Sequence, residues 1–187
     1  MSSPRPDHGL RTPLEGTGHL PWDSRRPIPA PLRLCQTRVK SDWVDYNHHM
    51  SESCYLLVFG DSTDAFFRFI GIDENYRQTG GHSFYTVETH LHNLKEVALD
   101  EPLDLHLQLL DHDGKRLHLF HSMFLGGSGT LLATAEQMLV HVDMHAGRAA
   151  TMPSDLLARV AAIRAAHQPL GLPVQAGSRI GIRRTPV

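Results

Sequence analysis

Tyr55, Val58, Phe59, Ser62, Phe66, Phe69 and Ile70 recur at intervals of three and four residues, drawing one strongly apolar stripe along a helix. Ser51 or a neighbour caps the start, Glu52 stands in the first turn, and Gly71 follows as a stop. A helix this apolar has to be covered. The chain supplies the cover directly afterwards, as four strand-like runs over Ser83–Val97, Pro102–Asp111, Arg116–Leu125 and Leu131–Asp143. Asp113-Gly114 and the run Gly126 to Gly129 punctuate them as hairpin turns, so the four runs are expected to form an antiparallel meander. Leu32–Lys40 reads as an earlier strand, and Ser154–Ala166 as a second helix with Pro153 at its first turn. The expected class is α+β: a curved antiparallel sheet of five strands wrapped around one long helix. Such a sheet leaves edges open, which points to a second subunit.

The remaining composition limits the partners. A chain of 187 residues fits one domain with flanking segments. Its net charge of −2, with both signs interspersed, disfavours nucleic acid and anionic membrane as partners, and no apolar run approaches the roughly 20 residues of a membrane span. Two cysteines, Cys35 and Cys54, without repeated spacing point to a reducing, cytoplasmic setting, and Cys54 falls within the helical pattern as a small hydrophobe. Residues 1–31 hold seven prolines and no apolar periodicity, so an extended or mobile arm is expected there. The globular domain is expected over residues 32–150, and a helix with a Pro/Gly/Arg-rich tail over 151–187.

Two places could carry chemistry. Asp45, Asn47 and His49 set a carboxylate, an amide and an imidazole at alternating positions just before the long helix, whose first N–H groups could stabilise developing negative charge. These residue types also favour ordinary turns, so the spacing alone leaves both readings open. In Tyr85-Thr86-Val87-Glu88-Thr89-His90, strand alternation places Thr86, Glu88 and His90 on one face. Glu88 is then either a solvated side chain or a second carboxylate, and two carboxylates near one site push their pKa values apart. Fourteen histidines raise a metal reading through His90-x-His92 and Glu96, but the glycines and third histidine of a cupin site are absent.

The segments W-V-D-Y-N-H-H-M-S-E-S-C-Y-L, F-Y-T-V-E-T-H-L-H-N-L-K-E-V and L-L-D-H-D-G-K-R-L-H-L-F-H resemble the hotdog-fold acyl-CoA thioesterases. They are most similar to the 4-hydroxybenzoyl-CoA thioesterase-like branch that includes the betainyl-CoA thioesterases of bacterial carnitine and betaine metabolism. The D-x-N-x-H pattern with a later Glu is also similar to plastid acyl-carrier-protein thioesterases. The resemblance spans roughly residues 33–150. It implies a hotdog fold, thioester hydrolysis, and a homodimer or dimer of dimers with sites at the subunit interface. It implies no metal and no prosthetic group, coenzyme A entering as part of the substrate. Asp45 takes the catalytic carboxylate position, Asn47 and His49 the accompanying polar positions, and Glu88 the second carboxylate position. Many relatives have Gly where this chain has His48.

On that footing Trp43, Tyr46, His48, Tyr85 and Thr86 are candidates for contact with the acyl group, and Lys115 and Arg116 for the phosphates of coenzyme A. Tyr55, Phe59 and Phe84 also lie close in sequence to these positions, with Tyr55 and Phe59 reading rather as core. A non-hydrolytic acyl-CoA-binding or dehydratase-like hotdog protein is the alternative.

Overall fold

The apolar stripe forms an 18-residue helix, α1 (Glu52–Phe69), in a computed structural model that describes residues 22–182. Tyr55, Val58, Phe59, Phe66 and Phe69 are buried along it. The end is a left-handed turn: Gly71 has φ 92°, its N–H donates to Arg68 O at 3.0 Å, and Ile72 N–H donates to Phe67 O at 2.7 Å.

Around α1 lies a single antiparallel sheet made of β1 (Leu32–Arg38), β2 (His82–Asn93), β3 (Pro102–His112), β4 (Arg116–Leu125), β5 (Thr130–Asp143) and the short β6 (Arg148–Ala149). The strand order is β1-β3-β4-β5-β2, with β6 also beside β5. Alternate residues face α1: Leu103, Leu105, Leu107 and Leu109 on β3, Leu117, Leu119 and Met123 on β4, and Ala133, Ala135 and Leu139 on β5, all of them buried. Full burial of one large apolar side chain contributes about 1.5–3 kcal/mol, so this wrapped face is the main source of stability.

The meander holds for only three strands, β3 to β5. β2 lies at the far edge beside β5, so residues 94–101 must cross to reach β3 next to β1. β2 also ends at Asn93 rather than Val97, because the chain turns away to place the N–H groups of Leu94 and Lys95 on Leu132 O at 2.9 and 3.0 Å. The crossing loop then receives the N–H of Met50 on Val97 O at 2.9 Å and buries the Val97 side chain. It therefore lies directly against the entry to α1, and this contact positions the candidate site. A contiguous run of β-formers hides such a crossing, since strand pattern carries no information on pairing partner.

Two further helices complete the fold. α2 (Glu74–Gly80) is capped by the Asp73 carboxylate accepting from Tyr76 N–H at 2.9 Å. α3 (Ser154–His167) buries Leu156, Val160, Ile163 and His167, and Arg159 Nη1 donates to Ile70 O at 2.7 Å, closing the far end of α1. Of the segment read as an arm, residues 1–21 lie outside the described residues. From Trp22 the chain is seated on the core, with the Trp22 and Phe69 rings 5.6 Å apart edge to face. The segment after α3 crosses the outer sheet face, where Gln108 Nε2 donates to Gly171 O and Gly177 N–H to Glu136 Oε2, both at 2.7 Å. Among the described residues no helix is long and apolar enough to cross a membrane.

Candidate active site

Asp45 to His49 form the tip of a small hairpin rather than a strand. Val44 pairs antiparallel with Met50, Asp45 N–H donates to His49 O at 3.0 Å, and His48 N–H closes a turn onto Asp45 O at 3.0 Å. The turn cancels the expected alternation of Asp45, Asn47 and His49. The Asp45 carboxylate folds back to accept from Asn47 N–H at 2.8 Å, an Asx turn that fixes its direction. His49 Nδ1 lies 3.4 Å from Glu96 Oε2 on the crossing loop. Asn47 itself is exposed, and so is Tyr46, at 89%.

The turn explains the departure at His48. This residue has φ 65°, the left-handed region, as the residue after such a turn requires. Glycine adopts it freely, whereas an L side chain meets a steric cost of about 1–2 kcal/mol. His48→Gly is therefore expected to stabilise the protein by about 0.5–1 kcal/mol after the extra flexibility of the unfolded glycine is subtracted. A thermal melt checks this: the midpoint should rise by about 1–4 °C, and a lower midpoint would show that the His48 side chain supports the loop.

Beyond the hairpin, Ser51 N–H donates to Trp43 O at 2.9 Å and Ser51 occupies the N-cap of α1. Its hydroxyl does not cap the helix, as expected from sequence, but faces Ser53 Oγ at 3.4 Å. The first N–H groups of an α-helix, here Glu52 and Ser53, have no partner within the helix, and among the described residues no side chain caps α1. Beside them opens a groove of about 290 Å³ lined by Met50, Glu52, Tyr55, Asn93, Leu94, Lys95 and Glu96. Of these residues the sequence singles out Glu52 as a first-turn residue and Tyr55 as core, and Glu96 only within a metal spacing that lacks its remaining ligands. The crossing loop is what brings Glu96 to the helix start, and its position depends on long-range pairing.

The other expected members fall elsewhere. A bulge between Thr86 and Glu88 breaks the alternation of β2, so that Thr86 lies opposite inward-facing Leu139 while Glu88 lies opposite Met138. Glu88 therefore shares an outer-face groove of about 320 Å³ with His90, His118, Glu136 and Met138, none of them from the Asp45 hairpin. Within one chain the two carboxylates do not converge. Tyr85 and Thr86 are exposed on the same edge strand. Trp43 is 6% exposed, packed in the core with Lys40 Nζ 4.6 Å from its ring centre. Lys115 and Arg116 are exposed on the β3–β4 turn, but Arg116 is already engaged by Asp113 at 2.6 Å. That hydrogen bond is the chief reason the Asp113 carboxyl is held down at about 2. His90 and His92 touch edge to face at 4.4 Å, whereas Glu96 is with His49, so the metal spacing is not assembled.

Buried ionisable groups lie deeper. Burial, followed by the charge of Asp64, raises the Asp61 carboxyl to about 6, and its Oδ1 has no hydrogen-bond partner among the described residues. Burial also pushes the Cys35 thiol up to about 11, which makes it unreactive at neutral pH.

A curled antiparallel sheet on one long helix, with a polar hairpin at the helix start, defines an α+β hotdog protein. Residues 39–160 match the model of the thioesterase-like superfamily, and the chain belongs to that family. It is similar to the betainyl-CoA thioesterase of Pseudomonas aeruginosa, 45% identical over 151 residues that cover 81% of this chain and 95% of that protein. It is also similar to the L-carnitine dehydrogenase/betainyl-CoA thioesterase of Rhizobium meliloti, 46% identical over 154 residues, 82% of this chain. The chain spans about a third of that relative's length, 31%. Among solved structures, a putative thioesterase from Pseudomonas putida KT2440 is 35% identical with a TM-score of 0.74, covering 84% of this chain and all of that one. A Staphylococcus aureus protein solved in complex with CoA has a TM-score of 0.77 at 26% identity, with the same coverage.

Proposed function

We propose that the chain hydrolyses a small acyl-CoA thioester, betainyl-CoA foremost, with Asp45 as the reacting carboxylate. The observation that carries this reading is the Asp45 carboxylate, fixed by its Asx turn beside an α1 N-terminus that has no side-chain cap. In the reaction an oxygen nucleophile adds to the thioester carbonyl while the N–H groups of Glu52 and Ser53 hold the oxyanion. The C–S bond then breaks, and the coenzyme A thiolate leaves and takes up a proton. Asp45 either attacks directly, giving an anhydride that water opens, or removes a proton from attacking water. Oxygen-18 found in Asp45 after a single turnover in labelled water identifies the anhydride route, because only water opening an anhydride at the Asp45 carbonyl labels the side chain. His49, held by Glu96, and Asn47 flank the carboxylate and keep the hairpin in place. The proposal uses no metal or prosthetic group.

The acyl choice rests on charge and on the relatives. Glu52 and Glu96 outnumber Lys95 in the groove at the helix start, and a quaternary ammonium suits such a lining. Among the described residues no strand pairs with the outer edge of β2, which exposes Tyr85 at 66% and Val87 at 53%. We infer a homodimer joined along this edge. Glu88 lies on the same strand, so its part in the reaction depends on that pairing.

Thiol release from betainyl-CoA and from 3,3-dimethylbutyryl-CoA, its neutral carbon isostere, tests the reading. The cationic substrate is expected to have a kcat/KM about tenfold higher, a ratio that Glu96→Gln reduces. Equal values would remove the cation assignment while leaving hydrolysis in place, and no release from either would remove the hydrolase reading.

A further inference from the structure

Ser62, Thr63, His121 and Gln137 form a connected polar string between α1 and the inner face of the sheet. All four are buried, and His121 is fully so. Ser62 Oγ lies 3.3 Å from His121 Nδ1, and Thr63 Oγ1 lies 3.3 Å from His121 Nε2. Thr63 Oγ1 is also 3.0 Å from both Gln137 Oε1 and Phe59 O, while Gln137 Nε2 reaches Thr89 Oγ1 on β2 at 3.4 Å. Neither the hairpin nor the groove at the helix start uses any of these groups.

Counting protons gives the string a direction. An amide oxygen and a peptide carbonyl only accept, so the single Thr63 proton goes to one of them. The Thr63 oxygen is then free only to accept, and His121 Nε2 must carry the hydrogen it receives. A neutral imidazole with hydrogen on Nε2 accepts at Nδ1, which is where the Ser62 hydroxyl stands. The order of donation is therefore Ser62 to His121 to Thr63, whose own proton goes to Gln137 Oε1 or Phe59 O, while Gln137 Nε2 donates to Thr89.

The consequence concerns the placement of α1. Its buried apolar side chains, such as Val58, Phe59 and Phe66, make non-directional contacts that tolerate small shifts along or around the helix axis. Breaking the string leaves buried polar atoms unpaired at about 1–3 kcal/mol each, which penalises every other register. The string grips α1 roughly three turns from its N-terminus. We propose that His121 is a positioning residue: through Ser62 and Thr63 it fixes the register of α1, and with it the N-terminal N–H groups that face the acyl carbonyl beside Asp45. The proposal rests on the hydrolase reading for its effect on rate, but the string itself has an independent signature.

That signature is read by nitrogen-15 NMR of the wild-type protein labelled in histidine. His121 is expected to show a neutral ring with hydrogen on Nε2 at pH 7. A hydrogen on Nδ1, or an imidazolium, would overturn the proposal whatever the activity. In steady-state assays with betainyl-CoA, Thr63→Val removes the hydroxyl at nearly constant shape and should lower kcat about tenfold with KM changed by less than about twofold. Thr63→Ser keeps the hydroxyl and should retain kcat to within about twofold. Wild-type kcat in Thr63→Val, or an equal loss in Thr63→Ser, would overturn the positioning role. Absence of turnover in the wild type while the ring shows the Nε2 tautomer would instead strike at the hydrolase reading.

Discussion

Asp45→Asn is expected to lower kcat for betainyl-CoA about a thousandfold, within the range for loss of a reacting or proton-accepting carboxylate. The substitution is close to silent for the fold. Asparagine keeps the side-chain oxygen that accepts from Asn47 N–H, so the Asx turn survives, and Asp45 is only half-buried. The amide neither accepts a proton from water at neutral pH nor attacks a thioester. Binding should persist, because the uncapped N-terminus and the groove from Met50 to Glu96 are untouched. The measurements are steady-state thiol release, a thermal midpoint within about 2 °C of wild type, and retained binding of coenzyme A. Turnover within tenfold of wild type in a folded Asp45→Asn protein would remove Asp45 from the chemistry.

The second large effect is a loss of stability in acid governed by His121. Burial holds its ring down to about 4, from an ordinary 6.5, against a smaller opposing contact with Gln137. Between these two values the unfolded chain binds a proton that the folded protein refuses, so stability falls as pH falls from about 6.5 to 4. At about 1.4 kcal/mol per pH unit the total is about 3 kcal/mol from this residue. His141 and His167, also held low chiefly by burial, act in the same direction. Asp61 opposes them: its folded carboxyl titrates near 6 against 3.8 when unfolded, so the folded state takes up that proton first and gains stability over the same acid range. Denaturant unfolding at pH 7 and pH 4, for wild type and His121→Gln, isolates the His121 part. The wild type should lose about 3 kcal/mol more than the variant over that interval, and parallel losses would show that His121 is not buried as a neutral ring.

How far the chain was legible from its sequence depended on the range of the interactions. α1 was readable because its stripe is periodic and Gly71 supplies a left-handed residue where the helix stops. The strands were readable one by one, from alternation and turn residues. Their order was not: β2 pairs with β5 and not with β3, and nothing local to residues 82–101 records this. The site followed the same division. Asp45 and the helix start were visible together because they are neighbours in sequence. Glu96 could not be seen as a neighbour of the site, because the crossing loop alone brings it to His49. The side of the sheet that Glu88 faces was not legible, because a single-residue bulge turns it to the outer face. Trp43 looked available beside Asp45, yet the short helical turn Ser41–Trp43 folds it inward.

The central claim, that Asp45 at the head of α1 serves thioester hydrolysis, is tested most directly by incubating the purified protein with betainyl-CoA and following free thiol and free acid together. The account predicts one thiol and one betaine for each thioester consumed, over many turnovers. A thioester that stays intact while bound, or that is altered in its acyl chain without thiol release, would contradict it and favour a binding or dehydratase-like role.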